Sequence, residues 1–242
     1  MIVSHKNRFI FLKTRKTAGT SIEIALSKYC GAEDIITGLS DSEEALRLGL
    51  GYPGRQNTGI PLYMYRKWDL WHRLNGGGPA HHFNHTPAKL LRRRMVSNLF
   101  DEYYKFCVVR NPWDKAVSLY YWMKFGDEKG LPENQSFRDF LVSTSVDLIT
   151  NSSIYLVDSE PVVDRFLRYE NLDEELSDTL KSLGLDSTEL PRAKAGTRKN
   201  KDHYSLIYDD ESVALVAELC SWEIKSFGYE FEDMRELADS EP

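Results

Sequence analysis

Phe9-Ile10-Phe11-Leu12-Lys13-Thr14-Arg15-Lys16-Thr17-Ala18-Gly19-Thr20-Ser21 is the stretch from which the rest of the chain is read. Its four leading apolar residues predict a short buried strand and its polar run a loop, while Ile22, Ile24, Ala25 and Leu26 beyond it share one helical face. A loop between a strand and a helix gathers backbone N–H groups at the positive end of a helix dipole, where a phosphate can be held. Ala18 and Gly19 let the backbone approach an anion closely, Thr20 and Ser21 add hydroxyl donors, and Lys16 supplies a mobile positive charge. The lysine precedes the Ala-Gly pair instead of following the last glycine, so the loop is not GxxxxGK[ST] and an ordinary ATPase loop is not expected. A solvated basic turn capped by Thr20 or Ser21 would use the same residues, and a second signal has to decide.

That signal lies farther along the chain. Phe106-Cys107-Val108-Val109 predicts a second buried strand, closed by Arg110-Asn111-Pro112, after which Trp113, Ala116, Val117 and Tyr120 recur at helical spacing. Arg110 then stands at a strand end and Ser118 two turns into the next helix, a spacing at which both can grip one phosphate. Thr86-Pro87 predicts the start of a helix over 87–99, continued by Leu90, Leu91 and Met95. Ile154 to Val157 and Val162 to Arg168 read as further strands, Leu172 to Leu183 as a helix, and Glu211 to Phe227 as one long helix stopped by Gly228. Residues 38–85 are rich in Gly and Pro and read as a long, partly helical insertion. The alternation of units predicts an α/β fold, a three-layer sandwich with a mostly parallel sheet, in a single domain over 1–242.

Composition bounds the function. The chain has 242 residues, 41% of them hydrophobic and 28% charged, which excludes a disordered tail or a fibre. Cys30, Cys107 and Cys220 are odd in number and outside any CxxC pair, which argues against a disulfide framework or a zinc site and for a reducing compartment. The beginning of the chain has no signal-peptide apolar region and no run is long enough to span a bilayer, so a cytoplasmic protein without a membrane span is expected. A net charge of −6 disfavours nucleic acid as a partner, although the basic residues are clustered enough to leave local pockets for a small polyanion.

The two loops together resemble those of the sulfotransferase superfamily, whose sulfuryl donor is 3′-phosphoadenosine 5′-phosphosulfate (PAPS). Lys16-Thr17-Ala18-Gly19-Thr20-Ser21 is similar to that family's P-loop-like 5′-phosphosulfate loop, and Arg110 with Ser118 is similar to its 3′-phosphate motif. The wording Arg110-Asn-Pro-Trp-Asp-Lys-Ala-Val-Ser118 is closer to carbohydrate-type members, such as heparan sulfate 2-O-sulfotransferase and bacterial relatives, than to steroid and phenol enzymes. Arg168-Tyr-Glu-Asn-Leu172 also resembles a segment of that group. The likeness covers most of the chain, while residues 30–80 match nothing in it. Many relatives carry Pro before the loop lysine where this chain has Arg15, a departure that touches loop rigidity more than chemistry.

The resemblance implies transfer without a metal, with adenosine 3′,5′-bisphosphate as the nucleotide product. Such a transfer needs in-line placement of an acceptor oxygen, a cation at the leaving phosphate and a base for the acceptor proton. Lys16 is the first choice for the cation and Lys13 the second. Three of the six histidines fall together in His81-His82-Phe83-Asn84-His85. His85, just before the helix start, is the first choice for the base and His82 the second, the alternative being surface or structural histidines. Arg198 and Lys199, with Lys201, lie in a basic segment that in this family folds over the 3′-phosphate, although such runs are usually solvated. Arg92 or Arg93 could face an acidic acceptor, or simply solvent. Trp68, Trp71, Trp113 and Trp122 read as core, with Trp68 or Trp71 the guess should one stack on a sugar.

The expected function is O-sulfation of a glycan or another hydroxylated small molecule, with the insertion at about 38–85 contributing to the acceptor site. A small natural product as acceptor and a non-catalytic nucleotide-binding module are the alternatives. A kinase would require a complete Walker loop. Acceptor identity and oligomeric state are not legible, because acceptor pockets come from insertions rather than from the shared fold.

Overall fold

The computed structural model describes residues 1–96, 98–126, 130–132, 134–191 and 202–238. Along the chain the strands are β1 (Ile2–Ser4), β2 (Phe9–Phe11), β3 (Ile35–Ile36), β4 (Tyr104–Val109), β5 (Leu156–Val157), β6 (Glu160–Pro161) and β7 (Arg165–Arg168). The helices are α1 (Gly19–Ser27), α2 (Asp41–Gly49), α3 (Lys67–Leu74), α4 (Ala88–Arg94), α5 (Leu99–Glu102), α6 (Pro112–Phe125) and α7 (Phe137–Ser143). They continue with α8 (Val146–Thr150), α9 (Ser152–Tyr155), α10 (Leu172–Ser182), α11 (Asp210–Leu219), α12 (Ser221–Phe227) and α13 (Arg235–Ala238). The chain divides into two compact units: Met1–Thr14, Ala18–Val108 and Ser153–Ala193 form the first, and Arg15–Thr17, Val109–Ser152 and Lys194–Pro242 the second.

The first unit is α/β. Its five-stranded sheet has the order β3-β1-β2-β4-β7. The two loop-bearing strands, β2 and β4, are parallel neighbours with Phe9 opposite Tyr104 and Phe11 opposite Phe106, so their carboxyl ends point to one edge of the sheet. Ligands in open α/β sheets gather at that edge. Phe9, Phe11, Phe106 and Val108 bury one face against Ile22 and Leu26 of α1 and Leu172, Leu176 and Leu180 of α10. Each such side chain contributes roughly 1.5–3 kcal/mol on burial. Val3, Ile10 and Cys107, on the alternate positions, are buried as well, so the sheet is covered on both faces.

The amino-terminal hairpin extends this sheet beyond the parallel pair that the alternating units foretell. Residues 2–4 turn back over residues 5–8, with Arg8 left-handed at φ 55°, and β1 pairs antiparallel with both β2 and β3. Asp34 holds the turn through the N–H groups of His5 at 2.7 Å and Lys6 at 3.0 Å and the hydroxyl of Ser4 at 2.9 Å.

The second unit packs α6, α7, α8 and α11 around Trp113, Val117, Tyr120, Phe137, Phe140, Tyr208 and Val216. Pro112 opens α6 at its first turn, and Asn111 Oδ1 caps it by accepting from the N–H groups of Trp113 and Asp114.

Several predicted elements are shorter than their sequence patterns. The helix expected over 87–99 ends at Arg94, because Met95 turns extended. The helix expected over 211–227 breaks at buried Cys220 into α11 and α12, and Gly228 terminates the second piece in the left-handed region at φ 66°. Ile154 and Tyr155 belong to α9 rather than to a strand, and only Leu156 and Val157 are extended. They form a two-residue ribbon with β6, whose turn is made by left-handed Asp158 and Ser159. The strand expected from Val162 begins only at Arg165, since Val162 N–H bonds back to Tyr155 O and Asp164 N–H to Lys105 O.

Candidate functional site

Loop 13–21 leaves β2 with its backbone held to the sheet: Leu12 N–H donates to Phe106 O at 3.0 Å and the Thr14 hydroxyl to Val108 O at 2.6 Å. Lys16 at φ 62° and Ala18 at φ 58° are both left-handed, a conformation that costs a non-glycine residue roughly 1–2 kcal/mol. Such strain between a strand and a helix start marks a backbone shaped for a purpose. Gly19 opens α1 where a Cβ would stand 2.7 Å from Lys13 Cγ and 3.3 Å from Thr14 O, so no larger residue fits. Thr17 and Thr20 are buried and Ser21 half-buried.

In the first unit Lys13 belongs to a buried ionic cluster. Lys13, 4% exposed, donates to Glu23 Oε2 at 2.8 Å and to Asn84 Oδ1 at 3.3 Å. Glu23 also lies 2.9 Å from the Met1 nitrogen and 3.5 Å from the fully buried Arg47 guanidinium. Thr37 Oγ1 is 2.8 Å from both Glu23 Oε1 and Asn84 Oδ1. Burial works against ionising Glu23, but the Lys13 ammonium and the Met1 amine, with the hydrogen bonds from both, overcome it and hold the carboxyl down at about 2.

A carboxyl whose folded pKa lies below its ordinary 4.5 adds stability above that pH and loses it as pH falls toward 2. Urea unfolding of the parent is therefore expected to weaken across that acid window. Glu23→Gln, which strands buried cations, is expected to lose about 3–5 kcal/mol at neutral pH and to show a flatter acid profile. Equal stabilities at neutral pH would show that the cluster contributes nothing.

The histidines are also set in the first unit. The segment leading to them is zipped by His82 N–H to Thr58 O at 2.8 Å and Ile60 N–H to Ala80 O at 2.9 Å. Asn84 Nδ2 donates to Gly38 O at 2.7 Å, and the Thr86 hydroxyl to Phe83 O at 2.5 Å, fixing the residues on either side of His85. His85 Nδ1 lies 2.9 Å from Lys13 O. A carbonyl only accepts, so Nδ1 carries the hydrogen, and the lone pair of the neutral ring sits on Nε2. His82 is different: it is 5% exposed, its Nδ1 is buried without a partner among the described residues, and burial plus nearby Arg94 lower its pKa to about 4. His81 is exposed.

In the second unit Asn151, itself left-handed, clamps the Arg15 peptide by accepting from its N–H at 3.0 Å and donating to its O at 3.1 Å. Pro at this position would lack the N–H used here, so the clamp supplies the stiffness that a Pro would bring. Lys16 Nζ lies 5.3 Å from the centre of the Trp122 ring. Arg110 donates from Nη1 to Lys16 O at 2.9 Å and from Nε to Asp114 Oδ2 at 2.8 Å, while Ser118 is half-buried on α6.

Of the other expected residues, Arg198, Lys199 and Lys201 lie outside the described residues. Lys89 and Arg92 form exposed ion pairs with Asp158 and Asp101, and Arg93 is exposed. Trp113 is core as expected and Trp122 half-buried, but Trp68 and Trp71 are not core: they are 67% and 55% exposed. Sequence reasoning missed Glu23, Thr37 and Asn84. A glutamate between Ile22 and Ile24 on an apolar helix is the one local hint, since a buried carboxylate needs a partner.

No family model matches the chain. Over 102 residues it is 38% identical to an uncharacterized protein of Archaeoglobus fulgidus, a match that spans 41% of this chain and 82% of that protein. The chain belongs to the same family as that protein, whose description states no activity. Among solved structures it is similar to a sulfotransferase from Alicyclobacillus acidocaldarius, with 16% identity, a TM-score of 0.43, and coverage of 93% of this chain and 96% of that one.

Proposed function

We propose that the protein transfers a sulfuryl group from PAPS to a hydroxyl of a carbohydrate or another hydroxylated acceptor. The observation that carries this reading is the backbone of loop 13–21: left-handed Lys16 and Ala18 lead into Gly19 at the start of α1, where a side chain would not fit. The donor set suits the group, since backbone N–H groups at a helix start, three hydroxyls and a lysine all favour an anion.

Lys16, Thr17, Ala18, Gly19, Thr20 and Ser21 would hold the 5′-phosphosulfate, and Arg110 with Ser118 the 3′-phosphate. Arg198 and Lys199 are proposed to assist at the latter. When bound, the donor supplies an activated sulfuryl group on a phosphate leaving group. Lys16 contributes its ammonium to the oxygen on which charge develops, and His85 Nε2 takes the proton of the acceptor hydroxyl. The Lys13 carbonyl, by accepting from Nδ1, keeps the ring in the tautomer that can do so.

Adenosine 3′,5′-bisphosphate is expected to raise the melting temperature without added metal, and more than AMP does. Arg110→Ala removes a charge-assisted contact worth about 1.5–3 kcal/mol, so calorimetry should show a roughly 10- to 150-fold loss for the bisphosphate and little change for AMP. Equal losses would mean that Arg110 serves only to brace Lys16 O and Asp114. Mass spectrometry of hydroxylated acceptors incubated with labelled PAPS tests the activity itself.

A further inference from the structure

Helix α3 is turned inside out. At about 100° per residue, Leu70, Leu74, Trp71 and Trp68 fill an arc centred opposite Asp69. In an ordinary surface helix that apolar arc would face the core. Here the polar side is docked instead: Asp69 accepts from Arg94 Nη2 at 2.8 and 3.0 Å, and the Arg94 guanidinium is itself buried. Asp69 also accepts from Arg66 N–H at 2.9 Å, fixing the helix start. The apolar arc is left facing solvent. Leu70 is 47% exposed and Leu74 87%, and the two tryptophans stack on each other with centroids 4.8 Å apart. The turn before the helix adds Leu62 at 65% and Tyr63 at 79%. Contiguous apolar exposure of this kind marks an interaction surface.

The charge around the arc narrows the partner. Residues 45–100 contain nine Lys and Arg and a single acid, Asp69, in a chain whose net charge is −6. That acid is committed inward to Arg94, while exposed Arg66 and Arg73 flank the apolar arc and exposed Lys67 stands within it. Such a face suits an anionic partner. A soluble polyanion would use the cations but leave Leu62, Leu70 and Leu74 in water. A second copy of the chain would bring the same three cations together, like charge against like. An anionic bilayer surface satisfies both halves of the pattern, with leucines entering the acyl boundary, Trp and Tyr at the headgroup level and Arg and Lys on the phosphates. Among the described residues no helix is long and apolar enough to cross a membrane, so contact at the surface is the form it takes.

We propose that α3 and the turn Leu62–Met64 form a docking surface for anionic phospholipid membranes. The proposal stands independently of sulfuryl transfer, because none of its residues is proposed to hold the donor or to supply the cation or the base.

The test is flotation of the full chain with phosphatidylcholine vesicles, with and without phosphatidylglycerol. The protein is expected to float with the anionic vesicles, with a blue shift of tryptophan emission, and to release as salt is raised. Replacing Trp68 and Trp71 together by Ser is expected to raise the lipid concentration for half-binding at least about tenfold and to abolish the blue shift. Arg66→Gln, Lys67→Gln and Arg73→Gln should each weaken binding about fivefold. All five side chains are exposed, so circular dichroism and melting should match the parent. The proposal is overturned if anionic vesicles fail to bind the protein, or if the folded double tryptophan variant floats like the parent. It falls equally if dextran sulfate binds as tightly with the same tryptophan dependence, or if sedimentation velocity shows a dimer that the tryptophan changes dissociate.

Discussion

His85→Ala is expected to lower turnover by roughly 100- to 10,000-fold while binding of adenosine 3′,5′-bisphosphate stays nearly unchanged. An acceptor hydroxyl is a poor nucleophile until its proton has somewhere to go, and the hydrogen bond from Nδ1 to Lys13 O leaves the lone pair of the neutral ring on Nε2. The protonated ring accepts nothing, so only the neutral ring can serve as the base. His85→Asn separates the two things the ring does: its amide can still donate to Lys13 O but cannot act as a base, and it should be as inactive as the Ala variant. An active Asn variant would show that His85 merely braces the loop. His82→Ala is the control. His82 is almost wholly buried, with a pKa lowered to about 4 first by burial and then by Arg94, and its loss should affect stability before turnover. If His85 and His82 are both dispensable, the base lies elsewhere and Glu170 is the carboxylate to replace next.

Lys16→Ala should cost about 100-fold or more in turnover at saturating donor, by analogy with removing a preorganised oxyanion donor, and much less in donor affinity. Alanine keeps a Cβ at the left-handed position, so the backbone strain at φ 62° is the same before and after and the change isolates the ammonium. The Lys16 carbonyl remains available to Arg110 Nη1. Single-turnover kinetics against titrated PAPS give the split between binding and chemistry. A raised dissociation constant with intact saturated turnover would reduce Lys16 to a phosphate anchor. Lys13 would then be tested, although its ammonium is 2.8 Å from a buried carboxylate.

Both strand-loop-helix units are legible from local signals, because each depends on interactions within a few residues. Four apolar residues followed by a polar run define β2 and its loop, Asn111-Pro112 caps and opens α6, and Gly228 ends α12 by adopting a positive φ. The reach of each helix is less legible. Periodicity cannot see that Met95 turns extended or that Cys220 interrupts the last long helix, because a repeating apolar pattern carries no sharp signal for where a helix ends.

What the sequence determined by itself was chemical inventory and order: a loop of small residues, hydroxyls and lysines after one strand, an arginine after another, and three histidines before a helix. Only the tertiary structure decided how those residues divide their work, because each division rests on a partner far away in the chain. Glu23, ten residues on, buries Lys13 and leaves Lys16 as the loop's other lysine. The Lys13 carbonyl, 72 residues back, sets the tautomer of His85, while Arg94 depresses His82. Arg94 also takes Asp69 from 25 residues away, and so turns outward an apolar helix face that its sequence pattern alone would have packed inward.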